Sequence, residues 1–276
     1  MHLKIKNSIP LLIATVFVLG CGGKKNKVNP DVPSNKTRHL TKVTLNKHLL
    51  MEYSYDENNK LKQMNYYDTI GNIIYTTQYE YNNNGNITKA HSYNTTRGGY
   101  TMYTYDNNNL LTKLTTYSDG NNDIIGATLY SYNIGQQCIK ETSRSNDYYL
   151  YEYDAMGNRT KHLIFNMKDQ LLATIIYTYD NKNSPDNDLA FSPYRHLSDN
   201  SSSLTSLHNI MSITSTDSNS YDEYGRLSID TGNDYGLLFT LYTSVFTYNS
   251  DNYPIKEIRT YSSKPQRVDV FEYEYK

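Results

Sequence analysis

One short pattern recurs along this chain and limits what it can become: an aromatic residue, a polar one, then another aromatic. It occurs as Tyr53-Ser54-Tyr55, Tyr79-Glu80-Tyr81, Tyr103-Thr104-Tyr105, Tyr130-Ser131-Tyr132, Tyr151-Glu152-Tyr153, Tyr177-Thr178-Tyr179, Phe246-Thr247-Tyr248 and Phe271-Glu272-Tyr273. Alternation with period two is the strand period, so both rings of a triplet face one side and the Ser, Thr or Glu faces the other. A half-buried strand is written this way. Tyrosine accounts for 30 of the 276 residues, against 6 Phe and no Trp. A chain this polar (mean hydropathy -0.72) cannot rest on aliphatic packing alone, and Tyr brings ring area while its hydroxyl still reaches water or an acceptor. The expected core is aromatic and partly wet.

In seven of the eight triplets the next residue is Asp or Asn, and a polar stretch follows before apolar residues resume. Asn82-Asn83-Asn84-Gly85-Asn86 and Asp154-Ala155-Met156-Gly157-Asn158 read as turns. There Asp or Asn bonds its own backbone two residues on, and Gly takes positive φ at no steric cost. Asp68-Thr69-Ile70-Gly71-Asn72 repeats the turn half a period later. The unit of 21 to 27 residues is one hairpin. Consecutive hairpins without helical spacers pair with their sequence neighbours, so the expected fold is all-β: an antiparallel hairpin meander of roughly 16 strands. Closure into a soluble, porin-shaped barrel removes its exposed edges. A barrel of that size must hold water, flatten or be plugged. The repeat breaks after Tyr179-Asp180, and the next recognisable unit is the degenerate Tyr221-Asp222-Glu223-Tyr224-Gly225-Arg226. The insertion, about 181–209, carries Pro185, Pro193 and a short helical pattern near Leu204 to His208, and is expected to pack over one barrel mouth.

The N-terminus carries a second message. Residues 1–20 have a basic start (Lys4, Lys6) and an apolar run from Ile9 to Leu19. That run is too short for a spanning helix, which needs roughly 20 apolar residues, and is right for a signal peptide. Val18-Leu19-Gly20-Cys21 resembles the lipobox of type II signal peptides, which implies lipidation of Cys21 after cleavage. Two or three acyl chains would anchor the protein without a transmembrane helix. Residues 21–36 then form a lipidated cysteine and a flexible tether with no apolar periodicity and two prolines, followed by the barrel domain, 37–276. No acidic run follows Cys21, which favours an outer-membrane anchor facing the periplasm.

The stretch Tyr151-Glu152-Tyr153-Asp154-Ala155-Met156-Gly157-Asn158 resembles the YD repeat of Rhs-type proteins. Lipobox and YD-like hairpins together resemble a family of envelope lipoproteins of unknown function described as having a porin-like fold. In that family Tyr-Asp-Asn-Lys-Asn-x-Pro leads into an irregular insertion, and Tyr179-Asp180-Asn181-Lys182-Asn183-Ser184-Pro185 matches it. The resemblance implies a fold and supplies no catalytic residues.

The remaining chemistry is sparse. Net charge is -1 and pI about 6.6, which gives no electrostatic footprint for nucleic acid. Once Cys21 is lipidated, Cys138 is left without a disulfide partner and reads as a small packed residue. No Walker loop, G-x-S-x-G, HExxH or Cys/His metal spacing occurs, so no cofactor and no metal are expected. Asp119-Gly120-Asn121-Asn122-Asp123 and the Asp217–Glu223 stretch are oxygen-rich but read better as turns than as calcium loops. The expected function is a non-catalytic binding or scaffolding module, with the membrane as one partner and a glycan or envelope protein as another. Candidate ligand contacts are Tyr194, His196, His208, Asp186 and Asp188 in the insertion. The alternative is an envelope hydrolase using those same groups at the barrel mouth.

Overall fold

The computed structural model describes residues 38–94, 96–185, 208–215, 239–262 and 264–276. They build sixteen strands: β1 (Leu40–Leu45), β2 (His48–Tyr55), β3 (Leu61–Tyr67), β4 (Ile73–Tyr81), β5 (Ile87–Tyr93), β6 (Gly98–Tyr105), β7 (Leu111–Ser118), β8 (Ile124–Tyr132), β9 (Cys138–Ser143), β10 (Tyr148–Tyr153), β11 (Arg159–Phe165), β12 (Leu171–Asn183), β13 (His208–Ser215), β14 (Phe239–Tyr248), β15 (Pro254–Tyr261) and β16 (Val268–Tyr275). Each pairs antiparallel with its sequence neighbours, and β1 pairs with β16, so the sheet is a closed barrel. The insertion is shorter than the sequence suggested. β12 runs on to Asn183 and β13 starts at His208, because Asn183 and His208 pair across the gap. The proposed plug and the degenerate unit at Tyr221 lie outside the described residues.

The turn chemistry expected from the sequence is present atom by atom. Asp56 Oδ1 accepts from the backbone N–H of Asn58 and of Lys60 at 2.9 and 2.8 Å. The same pair of bonds, two and four residues on, recurs at Asp68, Asn82, Asp106, Asp154, Asn166 and Asn249. The residue three after this Asp or Asn takes positive φ: Gly71, Gly85 and Gly157 at 84 to 88°, and Asn59, Asn109 and Asn252 at 59 to 62°. Gly adopts that conformation freely, and Asn is the side chain that tolerates it best.

A second regularity was not read from the sequence. Just inside each of these turns the register slips by one residue, a β-bulge. Ser54 faces Gln63 but Tyr55 faces Leu61; Glu80 faces Lys89 but Tyr81 faces Ile87; Glu152 faces Lys161 but Tyr153 faces Arg159. The slip recurs in all eight units. At the last it pairs Tyr275 with Leu40 and Glu274 with Lys42. The eighth repeat is therefore Tyr273-Glu274-Tyr275, two residues beyond the triplet picked out above.

The bulge separates two kinds of side chain. The triplet's polar residue and its partner face outward, where Lys161–Glu152, Lys89–Glu80 and Lys42–Glu274 approach to 3.1, 3.6 and 3.9 Å. The rings face inward with the first, fourth and sixth residues of the odd-numbered strands. Leu40, Leu61, Ile87, Leu111 and Cys138 take the first slot and are essentially inaccessible to solvent. Cys138 thus sits in a leucine slot, and burial pushes its thiol pKa up.

In seven of the eight units the second tyrosine closes the arrangement by donating its hydroxyl to the carbonyl of a first-slot residue. Tyr55 bonds Leu40 O at 2.6 Å, Tyr81 Leu61 O at 2.7 Å, Tyr105 Ile87 O at 2.7 Å and Tyr132 Leu111 O at 2.7 Å. Tyr153, Tyr179 and Tyr275 do the same to Cys138, Arg159 and Pro254. Phe cannot make this bond, so the excess of Tyr over Phe is a property of the repeat.

Candidate functional site

Because the chain repeats one unit eight times, it carries its own control for what the fold requires. The first and fourth residues of each odd strand, counted from the bulge, are the deepest inward slots. In the first slot stand Leu40, Leu61, Ile87, Leu111, Cys138, Arg159, Ile210 and Pro254; in the fourth stand Val43, Met64, Ala90, Leu114, Glu141, His162, Ile213 and Glu257. Apolar groups satisfy the fold wherever they occur. Glu141, Arg159, His162 and Glu257 do not follow from it, and a buried charge costs several kcal/mol unless it is paired. Three of the four lie on β9 and β11, on either side of β10.

Around β10 these groups form one patch on the inner wall. Arg159 is 5% exposed, Glu141 2% and His162 8%. The guanidinium lies against the rings of Tyr151 and Tyr177, 4.6 and 5.4 Å from their centroids, a cation–π arrangement worth about 2 kcal/mol when desolvated. Tyr151 donates its hydroxyl to Glu141, and burial together with that carboxylate raises the phenol pKa well above its ordinary value. His162 packs edge-on against Tyr149 at 5.1 Å and tilted against Tyr151 at 4.9 Å. Burial and the Arg159 cation hold His162 well below the ordinary imidazole range, so the ring is neutral at neutral pH. Arg159 Nε and His162 Nε2 are buried and have no hydrogen-bond partner among the described residues.

The other ionisable slot shows what a satisfied version looks like. Glu257 accepts from Ser244 Oγ at 2.6 Å, from Arg259 Nε at 2.9 Å and from the Tyr273 hydroxyl at 2.7 Å. Arg259 lies over Tyr242 at 4.4 Å and Phe271 at 4.6 Å, so it has aromatic cover like Arg159 and a carboxylate as well. Arg267 is likewise held by Asp269 at 2.9 Å, and burial with that carboxylate pushes Tyr261 up to about 12. These groups lock β14, β15 and β16 together.

Of the residues singled out from the sequence, Cys21, Tyr194, His196, Asp186 and Asp188 lie outside the described residues. His208 is described, and it stands in a strand of the wall rather than in the insertion. It is 4% exposed, at the start of β13, with Nδ1 2.8 Å from Asn158 Oδ1. Beside it Asp180 bonds the backbone N–H of Lys182 as a turn aspartate does. The chain returns 29 residues later, where Asp180 takes the backbone N–H of Asn209 at 3.1 Å and the Asn209 amide as well. It also takes the hydroxyl of Tyr248, the second tyrosine of its unit and the exception to the carbonyl rule. His208 thus belongs to the closure of the insertion. Among the described residues no group of three or more His, Cys, Asp or Glu is placed to hold a metal ion. Asp119 bonds His91 Nε2 at 2.8 Å.

The inner-wall patch was missed because Glu141, Arg159 and His162 fall between the aromatic triplets, where single polar residues look like strand-face alternation. Aligning the units on the bulge rather than on the rings would have found them.

A solved structure with this architecture exists. A porin-like protein from Bacteroides uniformis matches with a TM-score of 0.52 at 12% identity, over 86% of this chain and 98% of its own. The likeness is one of fold. A porin-like protein from Bacteroides vulgatus, also 12% identical, matches over 86% of this chain and 99% of its own with a TM-score of 0.37. No protein-family model matches the chain, and no curated protein matches it.

Proposed function

We propose that this chain is an envelope lipoprotein, held by lipid on Cys21 to the outer membrane and facing the periplasm, whose barrel is a non-catalytic binding module. The observation that carries the binding reading is the placement of Glu141, Arg159 and His162 in inward slots that the same fold fills elsewhere with Leu, Ile, Met and Ala. Glu257, in the same kind of slot, is tied to Ser244, Arg259 and Tyr273 and serves the wall, whereas Arg159 Nε and His162 Nε2 have no such ties among the described residues. The outward face supports a barrel standing beside the bilayer. Its Lys–Glu pairs ring the wall, and a Lys on the lipid face of a barrel costs about 2 to 4 kcal/mol at the bilayer midplane.

Two experiments test this reading. Radiolabelled palmitate should be incorporated into the protein and lost in Cys21→Ser, which should then leave the membrane fraction; labelling that persists in the variant rejects the anchor. Isothermal titration of the purified chain against neutral and acidic monosaccharides should detect a ligand, and Arg159→Leu should weaken it. Silence toward every sugar, or an unaffected variant, rejects the site.

A further inference from the structure

The patch around β10 carries enough chemistry to name the group it would receive. We propose that Arg159, with His162 beside it, is the seat for a planar carboxylate of a small ligand, an inference that rests on the binding-module reading above. Among the described residues Arg159 has aromatic cover and no carboxylate bonded to its guanidinium. Arg259 and Arg267 each bond an acid on the same wall, Glu257 and Asp269. The Arg159 guanidinium carbon lies over the rings of Tyr151 and Tyr177, which cannot accept its N–H groups as a carboxylate does, and the edge of the group is where hydrogen bonds form. That edge is a fork of parallel N–H groups, and a carboxylate matches it two oxygens to two donors.

His162 Nε2, buried and without a hydrogen-bond partner among the described residues, supplies a further donor in the tautomer that protonates it. Glu141, bonded by the Tyr151 hydroxyl and within electrostatic reach of Arg159, is an acidic group already on this wall, so one arginine faces one further carboxylate. Ile164 and Ile175, next along β11 and β12, are closed to solvent and bound the patch on that side with apolar wall. Two sources share this chemistry: the carboxylate of a sugar acid and that of a simple organic acid.

The test titrates glucuronate, acetate and glucose into the purified full chain and follows the side-chain Nε–H resonances of arginine by NMR, with affinities from calorimetry. Arg159→Leu places in the slot the residue that Leu61 and Leu111 place there, and Arg159→Lys keeps the charge while removing the fork. Glucuronate should shift one Nε–H signal, absent from both variants, and each variant should bind it at least tenfold more weakly. If acetate competes at equal affinity the source is any small acid; if glucuronate binds at least tenfold tighter, the sugar ring contributes. Glucose binding equal to glucuronate, or Arg159→Lys binding glucuronate at full strength, overturns the carboxylate seat while leaving a binding module. No response to any of the three ligands removes both.

Discussion

Replacing the second tyrosine of each unit by Phe removes one hydroxyl and nothing else, and the repeat makes this a matched series. In Tyr55, Tyr81, Tyr105, Tyr132, Tyr153, Tyr179 and Tyr275 the hydroxyl lies 2.6 to 2.8 Å from a backbone carbonyl. At Tyr105 that carbonyl belongs to Ile87, a residue with no solvent exposure. A typical intramolecular hydrogen bond contributes about 1 kcal/mol net, and an acceptor left buried and unpaired costs about 1 to 3 kcal/mol. The carbonyl keeps some capacity through its strand neighbours, so each of these variants should lose about 1 to 2 kcal/mol. Tyr248 is different, because its hydroxyl meets the carboxylate of Asp180. A hydrogen bond to a charged group is worth about 1.5 to 3 kcal/mol, so Tyr248→Phe should head the series. Tyr100→Phe is the outward control. Its hydroxyl reaches exposed Asn122 at 3.2 Å, and its loss should cost under about 0.5 kcal/mol. Urea unfolding followed by far-ultraviolet circular dichroism gives the midpoints. A flat series, or Tyr248→Phe falling below Tyr105→Phe, would show that these hydroxyls do not carry the seam.

Further outcomes follow from the same geometry. His162 is neutral and buried, with its pKa depressed in the folded state, so the unfolded chain binds its proton first as pH falls. Stability contributed at this site is complete above about pH 6.5 and is lost below it by up to about 1.4 kcal/mol per pH unit; His162→Met, the residue of the Met64 slot, should flatten that part of the profile, and an unchanged slope by urea titration at pH 5 and 7 refutes the assignment. Cys138 should resist thiol reagents in the folded barrel and react on unfolding, since its slot excludes solvent and its thiolate is disfavoured; stoichiometric labelling under native conditions would contradict this. Gly157→Ala forces a Cβ onto φ of +84° and should cost about 1 kcal/mol, whereas Asn59→Gly at φ of +59° should be neutral or mildly stabilising, both read from thermal midpoints.

Much of the architecture was legible because its signals are local. Tyr151-Glu152-Tyr153-Asp154 states strand period, buried side and turn in four residues, and the absence of helical spacers leaves neighbouring hairpins no other partner. The bulge was not legible, since a register slip is a relation between two strands and Lys161 looks like any strand-face lysine until Glu152 is placed opposite it. The same holds for β13, whose strand is specified by the pairing of Asn183 with His208 across the insertion and not by a triplet of its own. Site reasoning from chain proximity placed His208 with His196 in a loop. Tertiary pairing moved it into the wall, beside Asn158, 50 positions earlier. Glu141, Arg159 and His162 become conspicuous only when the slots are compared, because oddness there is measured against Leu61 or Ile87 and not against adjacent residues.

The pairing of β1 with β16 brings the two ends of the barrel chain to one seam, where His39 and Lys276 exchange backbone hydrogen bonds of 3.3 and 3.0 Å. Topologically the ring has no privileged starting point. A short linker across those ends, with the chain cut instead at the Asn82–Asn86 or Asp106–Leu110 turn, should give a rearranged gene product with the same wall. The order of the hairpins along the chain is then changed without altering the shape they reach, and the chain's ends move to a chosen point on the rim.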